Sequence, residues 1–173
     1  MQRMATPESI ERLYDEHAQA LFAFLLSFTR DEADTRDLIQ EIFVKIARQP
    51  DLLAGVATPR AYLLRLAHNL GVDLIRRRSA RTRRAEAAAT DSVGLFARAA
   101  DPDENTFADA LSIAMRDLPE DQRAVVHLKL WEGMTFESIA GVLDLPLNTA
   151  ASRYRYGIDK LRHLLRPIYE ELK

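Results

Sequence analysis

Apolar positions recur at steps of three and four residues through most of the chain, the spacing of amphipathic helices. From about Glu8 to Thr29, Ile10, Leu13, Tyr14, His17, Leu21, Phe24, Leu25 and Phe28 make one face and predict a first helix. Asp31 to Asp34 predicts a turn, with Asp34 or Thr35 capping a second helix. That helix turns Leu38, Ile39, Ile42, Phe43 and Ile46 inward and carries Asp34, Asp37, Gln40, Glu41 and Lys45 on its polar face. Such a face is ordinarily just a solvated one. Gln49 to Thr58, with Pro50 and Gly55, predicts a loop. Pro59 suits the first position of a third helix capped by Thr58, with Leu63, Leu66, Ala67, Leu70 and Leu74 on its buried face. It runs out into RRRSARTRR at 76–84.

The periodicity fails from Ala85 to Asn105, a stretch rich in Ala, Asp and Ser that contains Gly94 and Pro102. It predicts a linker, in part helical. Helices resume at about 106–117, 120–132, 135–143 and 148–166, with Thr135 and Asn148 as caps. The predicted fold is all-α: two small helical domains, 1–84 and 107–173, joined by a linker at 85–106. Trp131, at a helix end before Gly133, is expected in the core, and His17 and His127, among apolar residues, are expected to pack.

The segment Leu118–Arg162 has the layout of a helix-turn-helix, with a tight turn at Leu145-Pro146. Ile139, Val142, Leu143 and Leu145 would form the inner face of its first helix and turn, completed by Ala150, Tyr154, Ile158 and Leu161 from the second. Asn148, Thr149, Ser152, Arg153 and Arg155 would then face a major groove, where Arg and Asn can contact base edges. The other reading is a plain helical hairpin with an amphipathic second helix.

Composition narrows the chemistry. An apolar content of 47% and a charged content of 29% fit a globular protein. There is no cysteine, which excludes disulfides and thiolate ligands and suits the cytoplasm. No apolar run would span a bilayer, and the N-terminus is too charged for a signal peptide. The net charge of −2 hides alternating blocks: −4 over 1–59, +7 over 60–84, −7 over 85–121 and +2 over 122–173. Such asymmetry predicts different surfaces for different partners. Six arginines in nine positions at 76–84 exceed what a helix end needs to complement its dipole, and point to phosphates or another acidic partner. His17, His68, His127 and His163 are scattered without ligand spacing, and no phosphate loop or nucleophile motif occurs. No catalytic residue, metal or cofactor is expected.

Taken together, these segments resemble the extracytoplasmic-function (ECF) group of bacterial RNA polymerase sigma factors. DTRDLIQEIFVKIAR at 34–48 is similar to that family's region 2.2, RAYLLRLAHNLGVDLIRRR at 60–78 to regions 2.3 and 2.4, and the segment from Leu118 to Arg153 to region 4. The resemblance implies a factor that binds core polymerase, recognises promoters and assists DNA melting, without being an enzyme. It implies that Asp37, Gln40 and Glu41 contact the clamp helices of the largest polymerase subunit, supported by Leu38 and Phe43. It places Tyr62 and Asn69 at the melted edge of the bubble, Asn69 in a pocket for a flipped base completed by loop 49–58. Lys45, Arg65, Arg76, Arg77 and Arg78 would hold the DNA backbone. The helix from Asn148 would enter the upstream promoter element, and the helices before it would embrace the flap of the second-largest subunit. An anti-sigma factor is a further partner that the family suggests.

The sequence also departs from the family pattern. Where region 2.3 often has an aromatic pair, this chain has Tyr62 and Leu64, and two commonly basic positions of the recognition helix are Ala151 and Tyr156. Gly157 inside that helix predicts close helix packing. Two other functions remain open at this point: a helix-turn-helix regulator that acts without the polymerase core, and a sigma-like adaptor that does not open promoters.

Overall fold

The computed structural model describes the backbone of residues 7–88 and 106–171, which is helical apart from short turns, with no strand among the described residues. The first helix, α1 (Pro7–Thr29), buries Leu21, Phe24, Leu25 and Phe28 as its periodicity demands. Arg30, in the left-handed region at φ 55°, reverses the chain directly into α2 (Glu32–Arg48). The cap of α2 is Asp31, not Asp34 or Thr35: its carboxylate accepts from Asp34 N at 3.0 Å. Thr35 is committed elsewhere, since its buried hydroxyl lies 2.6 Å from that of Thr29 and donates to the Asp31 carbonyl at 2.7 Å.

The expected loop holds one turn of 3-10 helix, Pro50–Leu53, and then α3 (Pro59–Ala88) begins with its proline at the first position. The helix continues through the arginine cluster to Ala88; the rest of the predicted linker, 89–105, lies outside the described residues. Its buried face is Leu63, Leu64, Ala67 and Gly71, with Leu66, Leu70 and Leu74 half-buried. A Cβ on Gly71 would sit 3.6 Å from Leu25 and Phe28, so α1 and α3 meet closely there.

The second half contains α4 (Thr106–Asp117), α5 (Glu120–Leu130), α6 (Phe136–Leu143) and α7 (Leu147–Glu171). Thr135 caps α6 as expected, its hydroxyl accepting from Ser138 N at 3.2 Å. Asp144 ends α6 in the left-handed conformation at φ 53°, which produces the tight turn. The predicted cap Asn148 is corrected: α7 starts one residue earlier, and the Pro146 carbonyl accepts from Thr149 N (2.9 Å) and Ala150 N (3.1 Å). Asn148 therefore sits in the first turn with its side chain exposed. Trp131 is also corrected. It is about half exposed and stacks on the imidazole of His127 at 5.3 Å, while His127 itself packs in the core as expected.

The two halves are not separate bodies. One apolar cluster runs from Leu21, Phe24 and Phe28 of α1 and Leu63 of α3 into Ala124, Val125 and Leu128 of α5 and Ile139, Val142 and Leu143 of α6. Ala114, Met115, Leu118, Val126 and Leu161 form a smaller cluster inside the second half. The buried guanidinium of Arg123 stitches the halves together. It donates to the carbonyls of Met115 (2.9 Å), Leu118 (2.7 Å) and Arg116 (3.0 Å) within its own half, and to Ser27 of α1 at 2.6 Å. Burial lowers its pKa from the ordinary arginine value, aided by the neighbouring Arg30 charge. Arg30 itself donates to the Arg116 carbonyl at 2.5 Å.

Candidate nucleic-acid interface

On α2, Gln40 and Glu41 follow Asp37 by three and four residues, and all three are exposed beside the partly exposed Val44. Leu38 and Phe43 lie beneath them, 7% and 8% exposed, and so support that surface from inside. Phe43 also packs edge-on against Tyr14 at 4.9 Å. Tyr14, Phe22, Gln40, Phe43 and Val44 line a shallow groove between α1 and α2. Lys45 is exposed near the end of the same helix, where its charge complements the dipole.

On α3, Arg65, Asn69 and Arg76 share one exposed stripe, each three, four or seven residues from the next, with the half-buried Tyr62 at its head. Asp73 interrupts this stripe and lies 3.8 Å from Arg76. Leu64, where the family often has a second aromatic, is 1% exposed and belongs to the core. Neighbouring Asn69 is His68, half-buried and against the second half, whose pKa is lowered chiefly by burial. Arg78 does not join the stripe. It turns to α2, ion-pairs with Asp34 and reaches the Thr29 carbonyl at 3.4 Å. Arg77 is exposed beside it; the side chains of Arg83 and Arg84 lie outside the described residues.

On α7, Asn148, Ser152 and Arg155 lie along one line at steps of four and three. Asn148 and Arg155 are exposed, and the Ser152 hydroxyl donates back to the Thr149 carbonyl at 3.0 Å. The Arg155 guanidinium rests over the exposed ring of Tyr156, 5.2 Å from its centre. Thr149 and Arg153 fall on the adjacent line. Arg153 swings toward α5 and ion-pairs with Asp121 at 3.0 Å. Thus the structure groups three of the five predicted residues and diverts Arg153 into an intramolecular pair. Gly157 faces α5, where a Cβ would stand only 2.7 Å from Val126 Cγ2, the close packing expected of it.

Sequence reasoning missed the polar seam between the halves. Glu132, its side chain only 4% exposed, bonds across the seam to Arg60 at the start of α3, with Arg60 Nε donating to its Oε2 at 2.9 Å. Its other oxygen lies 3.9 Å from His127 Nε2, which has no hydrogen-bond partner. Burial drives the pKa of His127 down to about 4, against the opposing pull of Glu132. A cavity along the seam is lined by His68 and Val72 of α3, Glu120 and Asp121 of α5, Leu143 of α6 and Arg153 of α7. Glu120 there is pushed upward in pKa, mainly by burial. No sequence signal marks Arg60 and Glu132 as partners, because they belong to different halves. No group of His, Asp and Glu among the described residues is placed to hold a metal, and no described helix is long and apolar enough to cross a membrane.

The chain is similar to known proteins along most of its length. The sigma-70 region 2 family matches residues 13–81 and the sigma-70 region 4 family matches residues 114–163. The ECF RNA polymerase sigma factor SigL of Mycobacterium tuberculosis is 33% identical over 159 residues, covering 90% of this chain and 88% of that protein. SigX of Bacillus subtilis is 25% identical, covering 95% of this chain and 88% of its own. Among solved structures, the sigma factor RpoE of Bartonella quintana, in complex with the anti-sigma factor NepR, superposes with a TM-score of 0.75 at 21% identity, covering 92% of this chain and 98% of that one. Two sigma-region matches in the expected order, together with 33% identity to the ECF sigma factor SigL over 90% of the chain, place this chain in the ECF group of RNA polymerase sigma factors, which bind core polymerase and direct transcription initiation at promoters.

Proposed function

We propose that the three exposed stripes divide the work of initiation among the helices that carry them. In this reading residues 1–84 are the region 2 unit, 85–106 the linker and 107–173 the region 4 unit. Asp37, Gln40 and Glu41 of α2, backed by Leu38 and Phe43, dock on the clamp helices of the largest subunit of core polymerase. Tyr62, Arg65, Asn69 and Arg76 of α3 address the melted edge of the promoter, with Lys45 and Arg77 beside the backbone. With Leu64 buried, Tyr62 is left to supply aromatic stacking at the head of the stripe. Asn148, Ser152 and Arg155 of α7 read the upstream duplex, and Arg153 and Thr149 join them when Arg153 leaves Asp121. The flap of the second-largest subunit contacts the helices before α7. Arg78, paired with Asp34 in the free chain, joins the DNA set when it leaves that carboxylate, as Arg153 does. The chain supplies selection and strand opening in the cytoplasm and no bond chemistry of its own, and an anti-sigma factor, as in the RpoE complex, is a fitting regulator.

The observation that carries this reading is the separation of charge by helix: acidic and polar on α2, basic on α3, basic and amide-bearing on α7. Binding to purified core polymerase and to promoter DNA tests it. Glu41→Lys is expected to abolish holoenzyme formation. Asn69→Ala and Arg155→Ala are expected to leave holoenzyme formation intact and to weaken promoter opening and upstream-element binding respectively. Retained core binding by Glu41→Lys would overturn the assignment of this face to the clamp helices, and no core binding by the unaltered chain would favour a regulator acting without the core. Intact core binding without any promoter opening by the unaltered chain would favour the adaptor.

A further inference from the structure

We infer that Glu132 is the keystone of a latch that keeps the two halves packed in the free protein, and that Arg60 is its release point. Glu132 closes the α5–α6 connection, yet its carboxylate is buried at the seam rather than hydrated. A carboxylate removed from water is tolerated only with a charge partner. Its partner is Arg60, the second residue of α3, which belongs to the other half. His127 Nε2, at 3.9 Å, is the other polar group beside it, and it too is held from water by Phe24 of α1, 5.3 Å away, and by Trp131. The packed state therefore satisfies Glu132 through one guanidinium. If that guanidinium is lost, the carboxylate regains partners by opening the seam to water.

The packing has a functional consequence, which rests on the reading proposed above. In that reading one half anchors on the largest polymerase subunit and the other on the second-largest. A chain whose halves share one apolar core cannot serve both anchors until that core divides. The packed form also lays α3 against α6, the first helix of the helix-turn-helix, so one face of that motif is covered from within. The latched form is the resting form, and association with core polymerase draws on the open fraction. A ligand that binds only a minor state shows an apparent affinity reduced by that state's population.

The absence of cysteine makes the test direct, because two engineered thiols are the only labelling sites. Asp51→Cys in the first half and Lys160→Cys in the second, both at exposed positions, carry a fluorescent donor and acceptor on the full chain. Arg60→Glu is expected to remove the short-distance population and to speed association with core polymerase by roughly tenfold or more. The exchange Arg60→Glu with Glu132→Arg is expected to restore both. Glu132→Gln, which keeps the shape and removes the charge, is expected to leave the halves packed even when Arg60→Glu is present. Helical circular dichroism is recorded for every variant, and Glu132→Gln with Arg60→Glu keeps the test open should Arg60→Glu alone unfold. An unchanged distance in folded Arg60→Glu overturns the latch. An opened chain that binds core no faster overturns its resting role while leaving the sigma assignment standing. Failure of that assignment would look different, with no holoenzyme from the unaltered chain or any variant.

Discussion

His127 shows how one side chain can make the whole arrangement responsive to acid. Its imidazole is buried between Phe24 and Trp131, and burial holds its pKa at about 4 against an ordinary value near 6.5. A histidine depressed in this way stays neutral in the packed state while the unfolded chain takes up its proton. Between pH 6.5 and about 4 the unfolded form binds more protons, so stability falls as pH falls through that window and levels off below it. The full effect of this group is on the order of 3 kcal/mol. Urea denaturation at pH 7.5 and pH 4.5 is expected to show that loss, and His127→Gln to remove most of the difference. A pH dependence unchanged in His127→Gln would assign the effect to the carboxylates instead. Trp131, the single tryptophan, stacks on the same ring and supplies the fluorescence signal. Sequence alone identified His127 as a packing residue from its apolar neighbours. It could not reveal Glu132 as the carboxylate beside it, since that proximity depends on the turn after α5.

At the scale of the helix, periodicity was a dependable guide and capping was less so. The inward faces of α1, α2, α6 and α7 follow from steps of three and four residues, and so do the exposed lines on α3 and α7. Caps are decided by competition among neighbours of similar chemistry. Asp31, Asp34 and Thr35 could each begin α2, and the buried hydrogen bond between Thr29 and Thr35 leaves the cap to Asp31. The directions of Arg78 and Arg153 were equally hidden, because Asp34 and Asp121 lie far along the chain from them. Gly157 was legible: a glycine within an otherwise strong helix implies a neighbour too close for a methyl group. Val126, fully buried and branched at Cβ, cannot yield to one. Gly157→Ala is therefore expected to destabilise by about 1–3 kcal/mol, even though alanine is the better helix former. Adding Val126→Ala should recover part of that loss in thermal denaturation. Additive losses would mean that α7 shifts bodily instead.

At the scale of the molecule, two matched sigma regions would suggest two independent folding units, and the sequence supports that view as far as it goes. It reveals the two sets of helices and the charge blocks, but not whether the sets touch. The structure gives them a common core through α1, α3, α5 and α6, and Arg123 adds a polar tie by bonding carbonyls on both sides. Residues buried in a shared core cannot be exposed by one half without stripping the other. The free chain is therefore expected to unfold in one transition, with helical dichroism and Trp131 fluorescence changing together. Calorimetry should give a van't Hoff enthalpy equal to the measured heat. Arg60→Glu, by dividing the core, should split the curve, with the first-half unit separating from the unit that contains Trp131. Two transitions in the unaltered chain would mean that the common cluster contributes little, and that the halves are held by the linker alone.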